Sequence, residues 1–203
     1  MSLISVSKMT GKLINIPAIN TNTVTNDFCI REFKSNNINK ICTKCYSHNM
    51  LNTFRKNCQP SFEKNSKFLS ESEILPDFLP IINSAYFRFN GHGEVINETH
   101  LINLFSICNK NPDCSFALWT KRKNIVFGLL RKTKKPKNLI LVYSNPIIDK
   151  VMLYAPKHFD KVFNNVSKPI YKSVENCTGQ KCIECLACYK KNSGTTVIIE
   201  RVK

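Results

Sequence analysis

From residue 84 onward, short apolar runs alternate with stretches of helical periodicity, the pattern of β-α units around a mostly parallel sheet. Four runs predict strands: 84–89 (Ser-Ala-Tyr-Phe-Arg-Phe), 114–119 (Cys-Ser-Phe-Ala-Leu-Trp), 139–143 (Leu-Ile-Leu-Val-Tyr) and 195–199 (Thr-Thr-Val-Ile-Ile). A further strand is expected at 151–155 and a first one at 12–18. Leu101, Leu104, Phe105 and Cys108 fall at i, i+3, i+4 and i+7. Phe159, Val162, Phe163 and Val166 repeat that spacing, so each set predicts one apolar helix face. A helix is also expected over 122–133, with Gly128 in its middle as a weak point. Another is expected over 46–69, where Pro60 must end or kink it.

Five or six such units suit a partial (β/α) barrel of about six units better than a closed eight-unit one, which needs about 250 residues. An open doubly wound sheet is the alternative architecture. Both place a ligand site at the carboxyl ends of the strands, which directs attention to residues 90–94, 120–122 and 144–146. The chain of 203 residues reads as one domain, and 42% hydrophobic residues with 13 phenylalanines suffice for a core. No run approaches the roughly 18–20 apolar residues of a membrane span. The N-terminus also lacks an apolar signal core. The expectation is a protein with no membrane association, in the cytoplasm of a host or virus-infected cell.

That compartment changes how ten cysteines are read, because reducing conditions turn cysteine clusters toward metal or catalysis instead of disulfides. Cys177-Thr-Gly-Gln-Lys-Cys182-Ile-Glu-Cys185-Leu-Ala-Cys188 puts four thiols within twelve residues. Turns with two intervening residues let paired thiolates converge on one ion or one cluster edge. Lys181, Lys190 and Lys191 are expected to lower the thiol pKa values. Iron–sulfur and zinc sites draw on the same ligands, so both remain open. A second group comprises Cys29, Cys42 and Cys45, which could hold a four-iron cluster with one iron open. Cys58, in a helical stretch, reads as unliganded, although it could close a zinc site. Cys108 and Cys114 read as structural.

Asn90-Gly91-His92-Gly93-Glu94 directly follows a predicted strand, where glycines let the backbone approach a ligand or adopt positive φ. An ordinary strand-to-helix turn explains the same residues, with Glu94 opening a helix and His92 an exposed bystander. The net charge of +16 favours polyanions, and the lysine-rich stretch Lys121 to Lys137 is where a nucleic acid would be contacted. A chain heavy in Lys, Asn, Ile and Ser also arises from AT-rich coding, as in many viruses, and such a stretch is more often a solvated face.

A cysteine cluster ending in Cys45-Tyr46, a Gly-x-Gly-Glu turn after the next strand and a β-α series beyond it together resemble the radical S-adenosylmethionine (radical SAM) superfamily. More closely, Cys-x-x-Cys-Tyr, Phe-Arg-Phe-Asn-Gly-His-Gly, Ala-Leu-Trp-Thr-Lys-Arg and the closing four-cysteine run resemble the phage gene product 88 family. The resemblance implies a radical SAM-like partial barrel over residues 12–170 and an auxiliary cluster on Cys177, Cys182, Cys185 and Cys188. It implies that Cys29, Cys42 and Cys45 bind a 4Fe-4S cluster whose fourth iron is ligated by S-adenosylmethionine (SAM), and that Gly91, Gly93 and Glu94 approach the SAM amino group. The sequence departs from the superfamily in three respects: twelve residues separate Cys29 from Cys42, Lys44 stands where an aromatic normally precedes the third cysteine, with Tyr46 just after it, and His92 stands between the two glycines. Two functions from different classes follow. One is an enzyme that takes an electron from a donor protein, cleaves SAM and abstracts hydrogen from a substrate. The other is a non-catalytic zinc or iron–sulfur module that contacts nucleic acid or protein.

Overall fold

In the computed structural model, which describes residues 3–202, six strands lie side by side in the order of the chain. They are β1 (Ala18–Ile19), β2 (Tyr86–Phe89), β3 (Ser115–Thr120), β4 (Leu139–Ser144), β5 (Lys161–Val166) and β6 (Val197–Arg201), and every adjacent pair is parallel. The sheet is α/β and open, since β1 and β6 are its edges. A doubly wound sheet reverses its order at a switch point, and this one does not.

Helices α1 (Asp27–Phe33), α2 (Tyr46–Asn52) and α3 (Gln59–Glu71) join β1 to β2, α4 (Glu98–Lys110) joins β2 to β3, and α5 (Lys123–Leu130) joins β3 to β4. One face of the sheet, carrying Phe87, Phe89, Phe116, Leu118, Leu139, Leu141 and Val162, packs on Leu69 of α3, Leu101, Leu104 and Phe105 of α4 and Val126 of α5. Cys108 and Cys114 are buried in that core, as their apolar settings lead one to expect. Alternation along the strands sends Ala117, Trp119, Ile140, Val142 and Ile198 to the opposite face. There the cover is the segment between β5 and β6, which contains the short helix α6 (Cys182–Cys185).

Several sequence expectations are corrected. Residues 151–155 form no strand, and Leu153 and Tyr154 are exposed. The apolar set Phe159, Val162, Phe163 and Val166 lies not on a helix but mostly in β5. Buried Asn164 hides the period of two there, because it fills an inward position with hydrogen bonds to Asn145 and Met152. At 12–18 a 3-10 turn (Gly11–Leu13) precedes a strand confined to Ala18–Ile19. Pro60 neither ends nor kinks a helix; it occupies the first turn of α3, where its missing N–H costs nothing. The sheet runs past residue 170, so the four-cysteine segment is an insertion between two of its strands.

Candidate functional site

Seven of the cysteines, none in a disulfide, form two groups. The first is built around the turn that follows β2. Asn26 caps α1, its Oδ1 accepting the N–H groups of Phe28 at 3.0 Å and Cys29 at 3.4 Å, while its Nδ2 donates to the Glu94 carbonyl at 3.3 Å. Cys29 is thereby anchored to the glycine turn. Cys45 donates its N–H to the Cys42 carbonyl at 3.2 Å, closing a tight bend, and then caps α2. The next residue, Tyr46, donates its hydroxyl to the Gly91 carbonyl at 2.9 Å. Cys29, Cys42 and Cys45 therefore lie within electrostatic reach of one another, of Glu94 and of Lys121.

Burial pushes the Cys29 and Cys42 thiols upward, Lys121 opposing that rise. For Lys121 itself burial pulls the pKa down, but Cys42, Glu94, Cys45 and Cys29 outweigh it and the ammonium is held more firmly. A lysine at the carboxyl end of β3 is thus the counter-charge to this group. Glu94 accepts the N–H of Val95 at 2.8 Å on one carboxylate oxygen and that of Lys121 at 2.9 Å on the other. It pins the ends of β2 and β3 together. It does not open a helix, because α4 begins at Glu98 behind the Asn97 cap.

The glycines answer to close backbone approach. Gly93 has φ +108, and a Cβ there would sit 2.0 Å from the Thr21 hydroxyl oxygen; at Gly91 it would meet Asn20 Oδ1 at 2.9 Å. His92 is no exposed bystander: it is buried, with Nδ1 2.9 Å from the Ser47 hydroxyl and its ring against Tyr46 and Phe62. Burial, with Arg55 and Arg88 nearby, lowers its pKa to about 4, so the ring is neutral at pH 7. Cys58 lies in the turn before α3, its thiol beside Asn57.

The second group lies against the sheet face opposite the helices, its Cys177, Cys182 and Cys188 packing on the clusters of Ala117, Ile140, Val142 and Ile198. Cys177, Cys182, Cys185 and Cys188 line one half-open pocket of about 110 Å³ together with Gln180, Tyr189 and Ile198. One helical turn presents Cys182 and Cys185, and Leu186 in the left-handed conformation (φ +52) redirects the chain toward Cys188. Burial raises the pKa values of the Cys177, Cys182 and Cys188 thiols, that of Cys188 to about 12. The cations that oppose this rise are Lys12 and Arg88, in place of the expected Lys181, Lys190 and Lys191. Lys12 Nζ stands 3.1 Å from Cys177 Sγ and 2.7 Å from Glu200. Lys181 instead pairs with Glu184.

Among the described residues, no three His, Cys, Asp or Glu side chains are drawn tightly enough together to hold one metal ion. Tetrahedral zinc would need its sulfurs about 3.8 Å apart, so the thiols would have to close on a single ion. The donor set is nonetheless soft and thiolate-rich, the kind that takes zinc or iron–sulfur centres. In the lysine-rich stretch, Lys121 faces the thiols, Lys132 pairs with Glu98 and Lys135 with Asp160, which breaks up a continuous row of free cations. Among the described residues no helix is long and apolar enough to cross a membrane.

A family model described as gene product 88 matches residues 6–169. The chain belongs to that family. No curated protein and no solved structure matches it. The gene product 88 span contains the first cysteine group, the glycine turn and Lys121, and it ends before the four-cysteine segment. Sequence reasoning missed Asn26 and Arg88 as site residues, and it placed Lys121 at a strand's carboxyl end and in a nucleic-acid-contacting stretch without assigning it to the thiols. For Arg88 a signal was present, a cation between two phenylalanines inside a predicted strand.

Proposed function

We propose that this gene product 88 protein is an iron–sulfur protein of radical SAM type, built on an open, barrel-like arc of parallel strands. Cys29, Cys42 and Cys45 would hold a 4Fe-4S cluster with one open iron, and Cys177, Cys182, Cys185 and Cys188 a second cluster. The observation that carries this reading is the assembly of seven free thiols into two groups, one lining a single pocket and one gathered about Lys121.

When bound, the first cluster would supply single electrons and an open coordination position for the amino and carboxylate groups of SAM. The chain's own residues would orient and balance charge. Asn26 holds Cys29 to the turn, and Tyr46 holds the Gly91 carbonyl. Lys121 offsets the negative charge that thiolates bring, and Glu94 would accept from the SAM ammonium with lone pairs left by its two backbone bonds.

Anaerobic calorimetry with SAM on the reconstituted protein tests the reading. The wild type is expected to bind, and Glu94→Gln to bind about ten-fold or more weakly, the scale of a lost charge-assisted hydrogen bond. If the wild type retains an intact cluster and shows no heat with SAM, the radical SAM assignment is wrong.

A further inference from the structure

Two short segments carry large apolar side chains out into solvent, and they differ in charge. The first leads from α3 to β2. Leu75, Phe78 and Ile81 are each more than half exposed there, and the 3-10 turn Pro76–Phe78, closed by the Phe78 N–H on the Leu75 carbonyl at 3.0 Å, sets Leu75 and Phe78 on one side. The backbone is fastened from behind. Ile74 donates its N–H to Asn103 at 2.9 Å and Ile82 to Asn111 at 2.7 Å, while the Lys110 ammonium holds the Pro76 and Leu79 carbonyls at 2.6 and 2.8 Å. Polar groups are thus spent on the protein and apolar ones are presented outward, the arrangement of an interaction surface. Glu71, Glu73 and Asp77, all exposed, rim this segment. In a chain with 30 Lys and Arg against 14 Asp and Glu, three carboxylates within seven residues that form no ion pair among the described residues make a local acidic surface.

The second segment follows β5. Around the 3-10 turn Pro169–Tyr171, Ile170 is 79% exposed and Val174, one turn further on, 50%, beside exposed Lys168 and Lys172. This segment is anchored too: the Tyr171 hydroxyl donates to the Asp149 carbonyl at 2.9 Å, the Ser167 N–H to the Asp149 carboxylate at 2.7 Å, and Arg201 to the Ser167 carbonyl at 3.0 Å. The acidic segment lies at the amino ends of β2 and β3, because it leads into β2 and is bound to Asn111, which ends α4 ahead of β3. The basic segment lies at the carboxyl ends of β5 and β6, to which Arg201 ties it. Since every strand is parallel, the two surfaces stand at opposite ends of the sheet. One chain cannot join its own pair.

We propose that these segments are the two halves of a head-to-tail contact between copies of this chain, with Leu75, Phe78 and Ile81 of one copy on Ile170 and Val174 of the next. Charge complementarity selects the occupant: Glu73 and Asp77 meet Lys168 and Lys172, whereas a two-fold contact of either segment with itself would oppose like charges. A head-to-tail contact leaves one free surface at each end, so assembly grows copy by copy. Neither segment contains a cysteine, and the inference does not rest on metal or SAM.

Sedimentation velocity of the full chain, kept reduced and without oxygen, tests it through mass alone. The wild type is expected to grow past dimers as its concentration rises toward about 1 mM, the weak end of specific association. Leu75→Ser/Ile81→Ser and Ile170→Ser/Val174→Ser change only exposed side chains, and each variant alone is expected to stay monomeric. Mixed together, they retain one complementary pair of surfaces and should form dimers that grow no further. Should a serine variant not fold, charge reversals decide: Glu73→Lys/Asp77→Lys and Lys168→Glu/Lys172→Glu are each expected to weaken association about ten-fold, the scale of two or three surface ion pairs. The proposal is overturned by a wild type that stays monomeric, by a folded serine variant that assembles like the wild type, by a mixture of the two that stays monomeric, or by charge reversals that leave association unchanged.

Discussion

Gly93 and Gly179 share a positive φ, +108 and +112, but differ in what a side chain would meet: the Thr21 hydroxyl oxygen at 2.0 Å in one case, nothing within 4 Å in the other. Gly179→Ala is expected to cost about 1–2 kcal/mol, the backbone penalty alone. Gly93→Ala should cost about 3 kcal/mol or more, because β1's trailing segment must move as well. Urea unfolding of the two variants measures the difference, and equal midpoints would contradict the close approach. The sequence made both glycines of the turn legible as special positions, but not the reason. Gly-x-Gly-Glu reads as a place for a ligand, whereas the nearest claim on its space comes from Asn20 and Thr21, distant in sequence. His92 misleads for a related reason: its burial depends on Ser47, Tyr46 and Phe62, partners that no local pattern reveals.

At the scale of elements, strands β2, β3, β4 and β6 and helix α4 were legible because their apolar period and their burial coincide. In β5 they do not coincide. Its inward positions are Val162, Asn164 and Val166, and the polar middle residue left an apolar set that mimics a helix. Asn164 accepts from Asn145 Nδ2 and the Met152 N–H, both at 2.9 Å, and donates to the Met152 carbonyl at 3.1 Å. It holds the irregular 145–160 connection to the sheet. Asn164→Val improves β propensity yet takes a partner from the Asn145 amide and from the Met152 N–H and carbonyl, so a net loss of about 1–3 kcal/mol is expected. A neutral or stabilising result in urea unfolding would mean that these hydrogen bonds do not carry the connection. The strand expected at 151–155 failed for the complementary reason: its apolar residues Leu153 and Tyr154 face solvent, and the backbone there is fastened by Asn164 instead of by a ladder.

At the scale of the molecule, strands in chain order put α3, α4 and α5 on one face and leave the other to the cysteine-bearing insertion between β5 and β6. The second group was legible from spacing alone, because four thiols within twelve residues must be near one another. The first was legible in its members and opaque in its closure: Asn26, Glu94 and Lys121 join Cys29 to Cys42 and Cys45 through contacts between three separate crossovers. Burial raises the pKa values of Cys29 and Cys42 in one group and of Cys177, Cys182 and Cys188 in the other, and a bound metal, which requires thiolates, would contribute to folding as well as to chemistry. The most direct measurement is therefore quantification of iron, acid-labile sulfide and zinc in protein produced and purified without oxygen, for the wild type and for Cys182→Ser/Cys185→Ser. The account expects brown wild-type protein with iron and sulfide consistent with two four-iron clusters, falling by about half in the double variant. Stoichiometric zinc without labile sulfide, or a wild type carrying no metal at all, would contradict it.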